Sequence, residues 1–215
     1  QAALKRFSYR KLSRENRLTY DVLDYYLELS KKESDYLLYE EPMGTVSGVQ
    51  TQIPVLLSEY QFQSKEDVDA YLELMKTTPD YFNSLIAFEQ EKAQKGLFMA
   101  SYTADTVIEQ CQAFIDMGDS NYLISTFVDR IQKLTDLSES EKSDYIQKNA
   151  YMLQTYVLPA YQQLIKTVVE LKDSGKNEEG LCYLPNGKEY YELTVQASTG
   201  SVRTVPQLQK LTKNQ

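Results

Sequence analysis

From Ser13 to about Tyr39 the residues Leu18, Val22, Tyr25, Tyr26 and Leu29 recur three and four positions apart. That spacing gathers side chains on one face of a helix and predicts a first long helix. Glu41-Pro42-Met43-Gly44 ends it, and Thr45 to Thr51 reads as a polar loop, either functional or a plain connector. A short apolar helix is predicted over Ile53 to Tyr60, with Pro54 in its first turn, where a missing N–H costs nothing. Further stripes follow at Val68, Tyr71, Leu72 and Met75, then at Phe82, Leu85, Ile86 and Ala93.

Capping signals separate these stripes. Ser64 precedes Glu66 and Asp67, Thr78-Pro79 opens the next helix, and Gly96 offers a left-handed end to it. Thr103 is the expected cap of a helix carrying Val107, Ile108, Cys111, Phe114 and Ile115, which stops near Gly118. Asn121 to Leu134 repeats the pattern through Leu123, Phe127 and Ile131. Ser138-Glu139-Ser140-Glu141 has the form of a capping box and begins the longest predicted helix, reaching Lys172. Pro159 lies inside it and crowds the carbonyl one turn back, so a kink is expected between Thr155 and Pro159. No strand pattern lasts, although Leu181 to Leu184 fits a short extended piece. The expected architecture is all-α: antiparallel helices, one of them proline-kinked, with an irregular or extended segment near 181–187. Residues 1–175 are expected to form a helical domain, and 176–215 a loop, a turn and C-terminal helices.

Composition removes several chemistries. The sequence holds no histidine, so a helical His pair for zinc, a Ser-His-Asp triad and a Cys-His nucleophile pair are all excluded within it. Among 31 acidic residues no pair stands out as a two-carboxylate hydrolase site. A net charge of −8 argues against a phosphate backbone as partner, and the locally basic stretch from Lys5 to Arg17 reads as a solvated approach to the first helix. No apolar run approaches a membrane span, so the chain itself is expected to be soluble, with no nucleic acid and no transmembrane segment. Eighteen tyrosines without a tryptophan suit helix interfaces, peptide grooves and sugar stacking alike. Cys111 and Cys182 are too few for a disulfide framework, and Cys111 falls on an apolar stripe as an inert small hydrophobe.

The most specific stretch is Gly180-Leu181-Cys182-Tyr183-Leu184-Pro185-Asn186-Gly187-Lys188-Glu189-Tyr190-Tyr191. Pro185 fixes φ, Asn186 can bond its own backbone, and Gly187 is free to take a positive φ, so a tight turn is predicted there. With Tyr156-Val157-Leu158-Pro159-Ala160-Tyr161 upstream and Thr204-Val205-Pro206-Gln207-Leu208 downstream, the order resembles the bacterial family known as domain of unknown function 885. The resemblance runs from about Leu18 to the C-terminus. It implies a zinc-metallopeptidase-like parent whose second half carries a His-Glu-x-x-Pro-Gly-His-like helix with the metal ligands and general base. On that reading this chain is the non-catalytic N-terminal half, with no catalytic residue and no metal or cofactor of its own, while zinc belongs to the parent.

The partners so implied are the C-terminal catalytic half of the same protein and a peptide substrate. The compartment implied is extracellular or cell-surface, as a lipoprotein. Thr204 to Leu211 reads as a helix opening cut short, which fits a longer parent. Tyr183, Asn186, Lys188, Tyr190, Tyr191 and Tyr161 are the candidate substrate-facing residues; equally, the turn at Asn186 and Gly187 could only end one helix and aim the next. The alternative function is a stand-alone helical module that binds an extracellular peptide or glycan.

Overall fold

Side-chain caps start several of the helices where the spacing requires them. In a computed structural model that describes residues 2–177 and 179–213, helix α1 runs Arg14–Glu33, and the Ser13 hydroxyl accepts from the Asn16 amide at 3.2 Å. It is followed by α2 (Val49–Glu59), α3 (Lys65–Lys76), α4 (Thr78–Gln94), α5 (Ser101–Asp116) and α6 (Tyr122–Ile131). Then come α7 (Glu139–Met152), α8 (Leu158–Leu171), α9 (Gly187–Thr199) and α10 (Val205–Lys213). Among the described residues there is no strand, so the fold is all-α.

The Asp67 carboxylate accepts from the Ser64 amide at 2.9 Å, and Glu141 does the same for Ser138 at 2.9 Å, the reciprocal arrangement of a capping box. The Asn121 side chain takes the Leu123 amide at 2.9 Å. Gly96 ends α4 at φ 69°, and the Leu97 amide then reaches back to the Lys92 carbonyl at 2.8 Å. The helix expected at Thr103 instead begins at Ser101, with Ala100 as its cap.

The chain divides into two compact units: Gln1–Glu40 with Glu179–Gln215, and Glu41–Glu178. The first forty residues, expected to belong to a 1–175 domain, group with the C-terminal segment instead.

Within Glu41–Glu178, one core joins α2 to α8. α8 packs on α4 and α5, α7 on α3 and α6, and α2 on α5 and α6. Tyr71, Phe62 and Phe127 meet edge-on or tilted at 5.3 to 5.6 Å, within the range where ring pairs attract beyond their buried area. The Arg130 guanidinium lies 4.6 Å from the Phe62 ring centre and donates to the carbonyls of Leu57 at 2.9 Å and Tyr60 at 2.6 Å. It thereby satisfies carbonyls at the end of α2 that have no helical partner.

Two prolines sit inside helical runs. Pro54 is not in the first turn of α2 as expected: it follows Val49 by five positions, so its missing N–H would have served the Gln50 carbonyl. Near Pro159 the ladder becomes π-helical over Leu153–Val157, with the Leu158 amide donating to the Leu153 carbonyl five residues back. The wider turn overlaps the first part of the stretch 155–159, and α7, this turn and α8 follow one another without a loop.

In the other unit, α1 packs on α9. The apolar face of α1 is largely open: Leu18, Val22 and Tyr26 are 66%, 59% and 61% exposed, and only Leu29 of that set is buried. Helix α1 also stops six residues early, the chain continuing as a 3-10 turn over Ser34–Tyr39. Both Glu192 carboxylate oxygens accept from the Val205 amide, at 3.0 and 3.2 Å, which caps the start of α10. No helix among the described residues is long and apolar enough to cross a membrane.

Candidate functional site

The element Gly180 to Tyr191 folds as a compact turn, not as an extended piece. Leu181–Tyr183 is a single 3-10 turn, and the Gly187 amide donates to the Leu184 carbonyl at 3.0 Å. The positive φ falls on Asn186, at 51°, while Gly187 serves a different need. A Cβ at Gly187 would lie 1.8 Å from the Leu181 carbonyl oxygen, so only glycine permits that approach. The Asn186 carbonyl then accepts from the Tyr190 amide at 3.0 Å and α9 begins.

This turn is tied to the end of the 3-10 segment that follows α1. The Tyr39 hydroxyl donates to the Pro185 carbonyl. Tyr190 stacks on Tyr36, ring centres 5.5 Å apart at 29°, and meets Tyr39 at 4.9 Å; Tyr36 and Tyr39 are themselves edge-on at 5.2 Å. Burial holds the Tyr39 phenol above its usual pKa, with smaller contributions from Tyr36 and Glu189, so it stays protonated and keeps its donor through neutral pH.

Two grooves flank the tyrosines. One, of about 270 Å³, is lined by Glu33, Tyr36, Glu40, Tyr190, Leu193 and Ser198 among others. The second, of about 400 Å³, shares Tyr36 and Leu193 and adds Asp35, Glu189, Glu192 and Lys32. Ring faces, carboxylates and hydroxyls together can hold apolar and N–H-bearing parts of a ligand.

Of the six candidate residues, Tyr190 lines a groove. Asn186 shapes the turn. Tyr183, Lys188 and Tyr191 are exposed on the same element but are not among the lining residues, and a hydrogen bond to Glu179 pushes the Tyr183 phenol up. Tyr161 is not a groove residue: it is fully buried in the core of the 41–178 unit, with its hydroxyl donating to the Gln50 carbonyl at 2.6 Å. A residue inside the stripe Tyr161, Leu164, Val168 had that signal in the sequence.

Sequence reasoning missed Tyr36, Tyr39 and Glu33. Their spacing of three carries them around one helical face, but nothing local links them to Tyr190. It also missed an apolar groove of about 430 Å³ in the 41–178 unit, lined by Ile53, Leu56, Tyr60, Leu74 and Tyr81 among others.

The chain has no histidine, and among the described residues no group of three or more His, Cys, Asp or Glu is placed to hold a metal ion.

A comparison with curated proteins returns no match. Among solved structures, the chain is similar to a Colwellia psychrerythraea protein provisionally described as a lipoprotein, with a TM-score of 0.73 and 18% identity over 77% of this chain. The overlay takes in 29% of that protein, so the chain spans less than a third of its length. At that identity the likeness concerns the fold. The family model described as "Bacterial protein of unknown function (DUF885)" matches residues 1–215, and the chain belongs to that family.

Proposed function

We propose that this chain is a helical, non-catalytic region of a longer exported protein of the zinc-peptidase type, and that it forms part of the wall of a peptide cleft. One observation carries the reading: most of the chain overlays on less than a third of a longer helical protein. The chemistry of a peptidase would then come from the parent's C-terminal half, because this chain has no histidine to supply imidazole ligands or an imidazole base. The grooves beside Tyr36 and Tyr190 are the surfaces offered to the peptide. Export and a lipid anchor belong to the same proposal, supported by the description of the structural neighbour.

The test compares the parent protein with residues 1–215 alone. The parent should hold zinc by metal analysis and cleave members of a peptide library, and the 215-residue chain should do neither. Tyr190→Ala in the parent should raise KM more than it lowers kcat, as expected for a binding contact. A parent that binds no zinc and turns over no peptide would sink the reading.

A further inference from the structure

Glu89 on α4 is 1% exposed, and neither of its carboxylate oxygens has a hydrogen-bond partner. Lys92, fully buried, stands 3.6 Å from one Glu89 oxygen and 2.9 Å from a Glu41 oxygen. The Glu41 side chain is 40% exposed. One ammonium therefore sits between a sealed carboxylate and an open one. α3, α8 and the π turn also pack on α4; among the described residues, the charged groups that act on Glu89 are Lys92 from its own helix and Glu41 from the segment laid against it.

Glu41 begins the segment that leads into α2. Among the ties that hold that segment are Met43 buried in the core, the Gln50 side-chain Nε2 donating to the Gly44 carbonyl at 2.7 Å, and Gln110 donating to the Thr45 carbonyl at 2.9 Å. The Val49 amide closes it on the Pro42 carbonyl at 2.9 Å. The ion pair to Lys92 is its charged anchor.

We infer that Glu41, Glu89 and Lys92 form a proton-operated clasp on the 41–48 segment. With Glu89 neutral, Lys92 holds Glu41 without competition from Glu89 and the segment stays shut. Once Glu89 ionises, two carboxylates compete for one cation and a buried negative charge is left over, which an opening that admits water relieves.

Burial pushes the Glu89 carboxyl up to about 7, opposed by Lys92 and reinforced by Glu41, and burial also raises Glu41 against the pull of Lys92. An acid that holds its proton more tightly in the closed state favours closure fully below its ordinary pKa of 4.5, and that contribution is lost as pH rises through 7. The shift corresponds to a change on the order of 100-fold in the opening equilibrium between pH 5 and pH 8.

Hydrogen exchange at the Val49 amide, corrected for intrinsic base catalysis, reads the opening. Its protection should fall on the order of 100-fold from pH 5 to pH 8, and Glu89→Gln should make the profile flat. Glu41→Gln should lower protection across the whole range. A flat profile in the unaltered protein, or the same slope in Glu89→Gln, overturns the clasp. Should Glu89→Gln fail to fold, carbon-13 titration of the Glu89 carboxyl in the unaltered protein decides: a midpoint below about 5 overturns it as well.

Discussion

Tyr161 supplies to the Gln50 carbonyl the hydrogen bond that Pro54 cannot. In an unbroken helix the residue 54 amide would donate to that carbonyl, and the proline at 54 has no N–H to give. The Tyr161 hydroxyl, from α8, occupies the vacancy at 2.6 Å, with its ring against Phe82 and Phe114 at 4.9 and 4.6 Å. Burial drives this phenol far above its usual pKa, so it remains a donor through neutral pH.

Tyr161→Phe keeps the ring and strips the donor, leaving a buried carbonyl unsatisfied; it should cost about 1 to 3 kcal/mol in urea unfolding. In a Pro54→Ala background the residue 54 amide can take over, and the same change should cost less than about 1 kcal/mol. Equal costs in both backgrounds would show that the hydroxyl and the proline are not coupled.

Gly187→Ala should disrupt the turn before α9, because a methyl group would lie 1.8 Å from the Leu181 carbonyl oxygen. A loss of more than about 2 kcal/mol is expected. Limited proteolysis between residues 180 and 190 should accelerate in step, and unchanged cleavage would count against the close approach.

Tyr190→Ala and Tyr191→Ala should separate cleanly. Tyr190 is half-buried and touches both Tyr36 and Tyr39, so its truncation should cost about 1 to 3 kcal/mol, below the value for a fully buried ring. Tyr191 is 50% exposed and should change stability by less than about 0.5 kcal/mol. Thermal melts of the two variants check the contrast; a larger loss for Tyr191 would reverse the assignment of the inward ring.

The two cysteines should differ in reactivity. Burial pushes the Cys111 thiol up to about 12, whereas Cys182 is exposed. At pH 8 a thiol reagent should label one site per native chain and two in denaturant. Rapid native labelling of Cys111 would mean that the core opens there.

Period and capping were legible from the residues themselves, because a serine before an acid three positions on, or a glycine after an apolar stripe, acts within one turn. The cap at Ser64, the capping box at Ser138 and the left-handed end at Gly96 are of this kind. The exposed face of α1 was not legible, since periodicity says which residues share a face and not whether anything covers it. The tyrosine trio and the role of Tyr161 depend on residues more than a hundred positions apart. No local pattern encodes such pairs, which is why Tyr161 read as a groove residue and Tyr36 went unnoticed.

The π turn at Leu153–Val157 has a consequence for insertions and deletions. α7 and α8 continue one another, yet each presents its own buried stripe: Tyr145 and Asn149 on the first, Tyr161, Leu164 and Val168 on the second. The widened turn absorbs one residue more than an α turn over about the same rotation, so the two stripes keep the phase they would have in an unbroken helix one residue shorter. Deleting one residue there would let the ladder close as an ordinary α-helix and leave Tyr161 facing Gln50. The same deletion one turn later, inside α8, would rotate everything downstream by about 100° around the axis and carry Leu164 and Val168 off the core. The surplus residue therefore marks the one place in this run where a chain shortened by one should still fold.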